Sequence, residues 1–313
     1  RRWWRLQLQK NNNEDKKHDD KDVKIASAAD AREHKGHTLT GTTTIELTEN
    51  LELNDITFNG PVKIISKEAS SATAAAYIGD DAVVAAANSR IADDKFTITL
   101  TNGTKFIESV TVKEGVTNAK PVEIFTETTE EAEKTISTLI AEVATRIVGF
   151  KTGILEASAP IEVARGSVTT VTAESDITVE GDATVGTVNV TGEAKVTVQD
   201  GASIENVAVG GTANVEITLE GTAKVTDITV EDKAIVAVDI PKDAEVGKYT
   251  STSTASGSKI TGEGKVTGGV TVVEGTTEVS KTIEADVKVT PKDEKTEVNG
   301  TTVAGLKITA PTA

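Results

Sequence analysis

The sequence predicts a mainly β protein: a parallel β-solenoid, or β-helix, with about 20-residue coils, one amphipathic capping helix and a β-hairpin insertion. Three observations carry this expectation. Glycine recurs at a fixed interval of twenty, at Gly181, Gly201 and Gly221, and Pro241 stands where the next would fall. Between these marks apolar and polar residues alternate, as in ATVGTVNV, ASIENVAV and AKVTDITV, the two-residue period of a half-buried strand. Aromatics make up only 3% of the chain, so its core must be built from small, β-branched side chains that suit narrow coils.

Residues 1–22 read as a strand-like segment on a polar tether. Trp3 and Trp4, the only tryptophans, precede Leu6 and Leu8 in alternation with polar residues, and a run without apolar residues follows. Residues 23–65 read as the first coils, beginning with a strand and a brief helical stretch before Gly36. Short strands follow around Ile45, Leu51, Ile56 and Val62. Residues 66–128 read as a β insertion, because regularity lapses and Asn102-Gly103 sits between alternating runs, a strong hairpin signal. Residues 129–149 read as an amphipathic helix. Ile136, Leu139, Ile140, Val143, Ile147 and Val148 fall at three- and four-residue steps, Thr128 or Thr129 offers a cap, and Gly149 offers a stop. Its expected role is to cover an open end or side of the stack. Residues 150–290 form the main solenoid, with coils at 161–180, 181–200, 201–220 and 221–240 and a looser Ser/Thr-rich stretch after Pro241. Residues 291–313 read as a terminal hairpin about Asn299-Gly300.

A single coil cannot bury enough apolar surface to offset the ordering of its backbone, so each depends on its neighbours. The two ends of such a stack are its most reactive surfaces, able to add another chain unless capped.

The formal net charge of −16 argues against nucleic acid and anionic membranes as partners. No transmembrane segment is visible, because no run of eighteen apolar residues occurs. Cysteine is absent, and so is methionine even at position 1, which is expected of a processed, exported chain.

No catalytic motif stands out: there is no nucleophile elbow, Walker loop or dinucleotide fingerprint, and the chain is expected not to be an enzyme. His34 and His37 with Glu33 read as a solvated turn and not as metal ligands. Asp19-Asp20, Asp80-Asp81 and Asp93-Asp94 could supply oxygen to Ca2+, but none has a calcium-loop spacing, so no cofactor is expected and a solubilising surface is the preferred reading. The N-x-T triplets at Asn102, Asn189 and Asn299 are ordinary in a Thr-rich chain.

The coils over about 160–290 resemble β-solenoid regions of bacterial and archaeal cell-surface proteins, surface-layer-associated or fibre-forming, in pattern and composition. That resemblance implies an extracellular, self-associating structural protein whose partners are copies of itself. Trp3, Trp4, Leu6 and Leu8 are the expected inter-subunit contact, added as a donor strand to the next copy. The alternative is a monomeric adhesin or module binding cell-wall or matrix polysaccharide through residues 66–128.

Overall fold

A computed structural model describes residues 17–70, 94–128, 130, 134–289, 298–301 and 307–309. The chain is a parallel β-solenoid. Its first turn comprises β1 (Lys17–Asp19), β2 (Val23–Ile25), a short helix α1 (Ala28–Glu33) and β3 (His37–Leu39). The next coils have three strands each: β4 (Thr43–Leu47), β5 (Leu51–Asn54) and β6 (Thr57–Phe58), then β7 (Val62–Ser66), β8 (Phe96–Thr101) and β9 (Lys105–Phe106).

From there each coil has two strands. They are β10 (Val110–Glu114) and β11 (Val122–Thr126), β12 (Thr135–Ala141) and β13 (Thr145–Val148), β14 (Lys151–Ala157) and β15 (Ile161–Ala164), and β16 (Ser167–Ala173) and β17 (Ile177–Glu180). Next come β18 (Thr184–Val190) and β19 (Ala194–Val198), β20 (Ser203–Val209) and β21 (Asn214–Leu219), and β22 (Lys224–Val230) and β23 (Ile235–Ile240). The last coils are β24 (Glu245–Ser251) with β25 (Ser258–Gly262), and β26 (Lys265–Val272) with β27 (Thr276–Val279). They are followed by β28 (Glu284–Val289), β29 (Val298–Thr301) and β30 (Lys307–Thr309).

The strands stack into a 14-stranded sheet from β2 to β29, a 12-stranded sheet from β5 to β30, and a 4-stranded sheet of β1, β3, β6 and β9. All pairings between named strands are parallel except those of β29 with β28 and β30 with β27. Inward side chains of successive coils form columns. One runs Ile25, Ile45, Ile64, Val112, Ala141, Ala157, Ala173, Val190, Val209, Val230. All ten are buried. Alanine fills this column where coils are shortest: Thr145, Ile161 and Ile177 are register partners 16 residues apart. Valine returns where coils lengthen.

Coil length also explains the glycines. Glu180, Gln199, Glu220 and Pro241 open equivalent turns, each carbonyl accepting from the alanine three residues on (Ala183, Ala202, Ala223, Ala244) at 2.9–3.1 Å. These coils are 19, 21 and 21 residues long, as the partners Thr184–Ser203, Ser203–Lys224 and Lys224–Glu245 show. Glycine occupies the second turn position at Gly181 and Gly221 but the third at Gly201, all with positive φ. A one-residue shift within the turn therefore turns coils of 19 and 21 into an apparent interval of 20.

Several expectations need correction. The helix expected over 129–149 is not found among its described residues: β12 and β13 occupy Thr135–Ala141 and Thr145–Val148. The seven-residue strands of the 14-stranded sheet, β12 to β24, step out of alternation once, a bend in the pattern that buries the second, fifth and seventh residues, as at Ile136, Leu139 and Ala141. That three-residue step imitates a helical one, while the Thr, Ile and Val content favours the extended backbone. The capping helix is α1 instead.

Residues 94–128 belong to the stack, not to an insertion, since β8 pairs with β5 and β11, and β10 with β7 and β12. Asn102 and Gly103 do have positive φ, 45° and 88°, but they turn a corner between β8 and β9, which pair with different neighbours. Ser70 Oγ donates to Asp94 Oδ2 at 3.3 Å, so the two residues lie side by side. Residues 71–93 lie outside the described residues.

The Ser/Thr-rich stretch after Pro241 is no interruption: Ser251, Ser258 and Thr277 are buried around the phenol of Tyr249, itself 0% exposed, and the buried Ser253 donates its hydroxyl to the Ala234 carbonyl. Asn299-Gly300 is not a turn but part of β29, paired back on Lys288 and Val287.

Candidate functional site

The two ends of the solenoid differ. At the N-terminal end Ser27 caps α1, its Oγ accepting from Asp30 N–H at 3.2 Å, while Asp30 Oδ2 accepts from Ala26 N–H at 2.8 Å. The Ala26 N–H holds the Asp30 carboxyl below its ordinary pKa. This reciprocal box stabilises a helix of only six residues. With Ala31 buried, α1 packs against β5 where a further strand would stand, covering the edge of the 12-stranded sheet. The outer edges of β1 and β2 carry no strand among the described residues. Val23 N–H donates to Thr42 O of the neighbouring coil, so strand alternation turns the Lys24 N–H toward the open side. At the opposite end the reversed strands β29 and β30 finish the two large sheets.

Trp3, Trp4, Leu6 and Leu8 lie outside the described residues. Eight residues lie between Leu8 and Lys17 at the start of β1, nine Cα steps with a reach of at most about 30 Å. That distance spans several strand spacings of about 4.8 Å.

The acidic surface contributes to coil stacking. Asp22, Asp176 and Asp200 each accept a backbone N–H from the following coil, of Thr42, Lys195 and Thr222, at 2.7–3.0 Å. Asp232 accepts from Gly211 of the preceding coil at 2.9 Å. Asp94, beside Ser70, pairs with Lys120 at 3.1 Å, and Glu68 pairs with the same ammonium at 3.2 Å. These two carboxylates raise the Lys120 pKa, Asp94 foremost. A solubilising surface is therefore not the whole role of the acidic residues; the turn positions of Asp176, Asp200 and Asp232 show in the sequence, but the backbone each one meets is set by coil stacking.

On the outer face of the 12-stranded sheet, Arg146 lies among three carboxylates, Glu123 and Glu162 at 3.6 Å each and Glu180, to which it donates. Glu123 also meets Lys95 at 3.7 Å. Two cations against three carboxylates brace five successive coils, from Lys95 beside β8 to Glu180 at the end of β17. A shallow depression on the 14-stranded sheet, lined by Thr184, Gly186, Ser203, Glu205 and Thr226, holds one carboxylate. It exists because Gly186 lacks a side chain; a Cβ there would come within 2.6 Å of the Thr169 carbonyl oxygen.

His34 and His37 come together with Asp19, not with Glu33. Asp19 ends β1, His34 caps the C-terminus of α1, and His37 begins β3. Pairing of β1 with β3 brings the carboxylate to the imidazoles. Asp19 Oδ2 lies 2.9 Å from His37 Nδ1 and 3.7 Å from His34 Nδ1, with the two rings edge to face at 5.5 Å. The His34–His37 spacing was visible in sequence, but Asp19 is reached only through strand pairing.

No helix among the described residues is long and apolar enough to cross a membrane. Comparison with known proteins yields no match to this chain, whether to a family model, a curated protein or a solved structure.

Proposed function

We propose that the chain is an extracellular structural subunit that joins copies of itself into a filament or surface layer, without catalysis. The observation that carries this reading is the inequality of the ends. One end presents the outer edges of β1 and β2, and the other finishes in the reversed strands β29 and β30. A contact between two different surfaces propagates head to tail and does not close as a two-fold dimer. The Trp3–Leu8 segment, tethered to β1, is the natural strand to add to a neighbouring copy. Its paired indoles are costly to leave in water. Parallel stacking along the whole length gives the stiffness such a role needs, and the composition resembles that of cell-surface solenoids.

Sedimentation velocity and negative-stain electron microscopy of the whole chain, with and without residues 1–10, test the proposal. The whole chain is expected to form concentration-dependent polymers, and the shortened chain to remain a folded monomer. Equal assembly by both, or monomers throughout, rejects the donor-strand mechanism.

A further inference from the structure

We infer that Asp19, His34 and His37 form a binding site for one divalent transition-metal ion of the zinc type. Two imidazoles and a carboxylate are a donor set suited to such ions. Their ligand atoms all lie within 4.8 Å of one another. Around a tetrahedral ion with bonds of about 2.0–2.1 Å, neighbouring ligand atoms stand about 3.3 Å apart. The observed separations of 2.9 and 3.7 Å from Asp19 Oδ2 straddle that value, so small side-chain movements complete the set.

A plain hydrogen-bonded pair explains Asp19 with His37 but not His34. The Nδ1 of His34 is buried, has no hydrogen-bond partner, and lies too far from Asp19 for a hydrogen bond. A metal ion gives this nitrogen a partner. The three side chains are each between 16% and 34% exposed, which leaves room for water at a fourth position. The site would join the end of β1, the end of α1 and the start of β3, pinning the outermost strand of the 4-stranded sheet.

Co2+ titration of the chelator-treated full chain, followed by visible absorption, tests the assignment, with Zn2+ as competitor. One equivalent is expected to bind with a dissociation constant of about 10 µM or tighter. Asp19→Asn keeps a hydrogen-bond acceptor for His37, so it preserves the local fold and should weaken binding at least about tenfold. His34→Gln should do the same, while His18→Gln, altering the only other histidine, should leave binding intact. In the unaltered chain Zn2+ should shift the ring resonances of two histidines and not the third. Absence of saturable uptake, uptake that survives His34→Gln or Asp19→Asn, or loss on His18→Gln overturns the assignment.

Discussion

Asp200 Oδ1 accepts both the backbone N–H and the hydroxyl of Thr222, each at 2.7 Å, across the turns of two successive coils. The Thr222 N–H is the main reason the carboxyl titrates below its ordinary range. A lowered folded-state pKa means that the stabilisation is complete above the unfolded value and disappears as pH falls through the folded one. The coil edge near Thr222 should therefore loosen only below about pH 4. Amide hydrogen exchange at Thr222 should accelerate at that point, and in Asp200→Ala it should be fast already at neutral pH.

Gly221 sits beside this contact with φ of 54°, and a Cβ there would overlap the Asp200 carboxylate. Gly221→Ala should cost about 1–2 kcal/mol for the left-handed backbone alone. The overlap adds to that cost only while Asp200 is present. Denaturant unfolding of the two single variants and the double variant should show Gly221→Ala costing less in the Asp200→Ala background; strictly additive effects would contradict the packing.

Tyr249 is buried in the interior, its hydroxyl 3.5 Å from Thr277 Oγ1, and burial pushes its pKa up. Because the folded-state value is raised, stability is intact below the unfolded value and falls as pH climbs past about 10. Tyr249→Phe should remove most of that alkaline sensitivity. It should also cost about 1–2 kcal/mol, because buried hydroxyls lose a partner. Unfolding midpoints measured from neutral to alkaline pH check both effects.

The valine and alanine columns make opposite predictions at equivalent positions. Val190→Ala should destabilise by about 2–3 kcal/mol through lost burial and a cavity. Ala157→Leu, in the same column but in a shorter coil, should destabilise by about 1–3 kcal/mol through overpacking. Equilibrium unfolding in urea separates these outcomes from a loosely packed interior, which would tolerate the larger side chain.

At the N-terminal edge, Lys24→Pro removes an outward-facing donor while leaving the Val23 N–H bond to Thr42 in place. Under the proposed assembly it should block polymer growth at that end with little loss of fold. Light scattering over time reads this directly, and unchanged growth would show that β2 is not the joining edge.

These elements differ in how plainly the sequence announces them. From Ile161 to Ile240 the strands are legible because β21 and β23 alternate inward and outward and turn glycines recur between coils, although β16, β18, β20 and β22 each step out of alternation once. Residues 129–149 mislead because the bend in β12 sets Ile136 and Leu139 three apart, and Val143 and Ile147 then complete a helix-like pattern. Asn102-Gly103 signals its backbone dihedrals correctly, but those dihedrals serve a corner as well as a hairpin. The third face is nearly invisible: β6 and β9 have two residues each, too few to establish a period. The partnership of Asp19 with His34 and His37 depends on the register of β1 with β3, which no local pattern encodes.

The parallel register of successive coils underlies every contact described, and the absence of cysteine makes it open to direct measurement. Thr172 and Asn189 are register partners on the outer face of β16 and β18. Their Cα atoms should stand about 4.8 Å apart, within disulfide reach. Oxidation of the Thr172→Cys/Asn189→Cys variant should give a rapid intramolecular disulfide, while Thr172→Cys/Thr187→Cys, displaced by two residues, should stay reduced. Rapid closure of the displaced pair, or failure of the aligned one in a folded chain, would contradict the solenoid register.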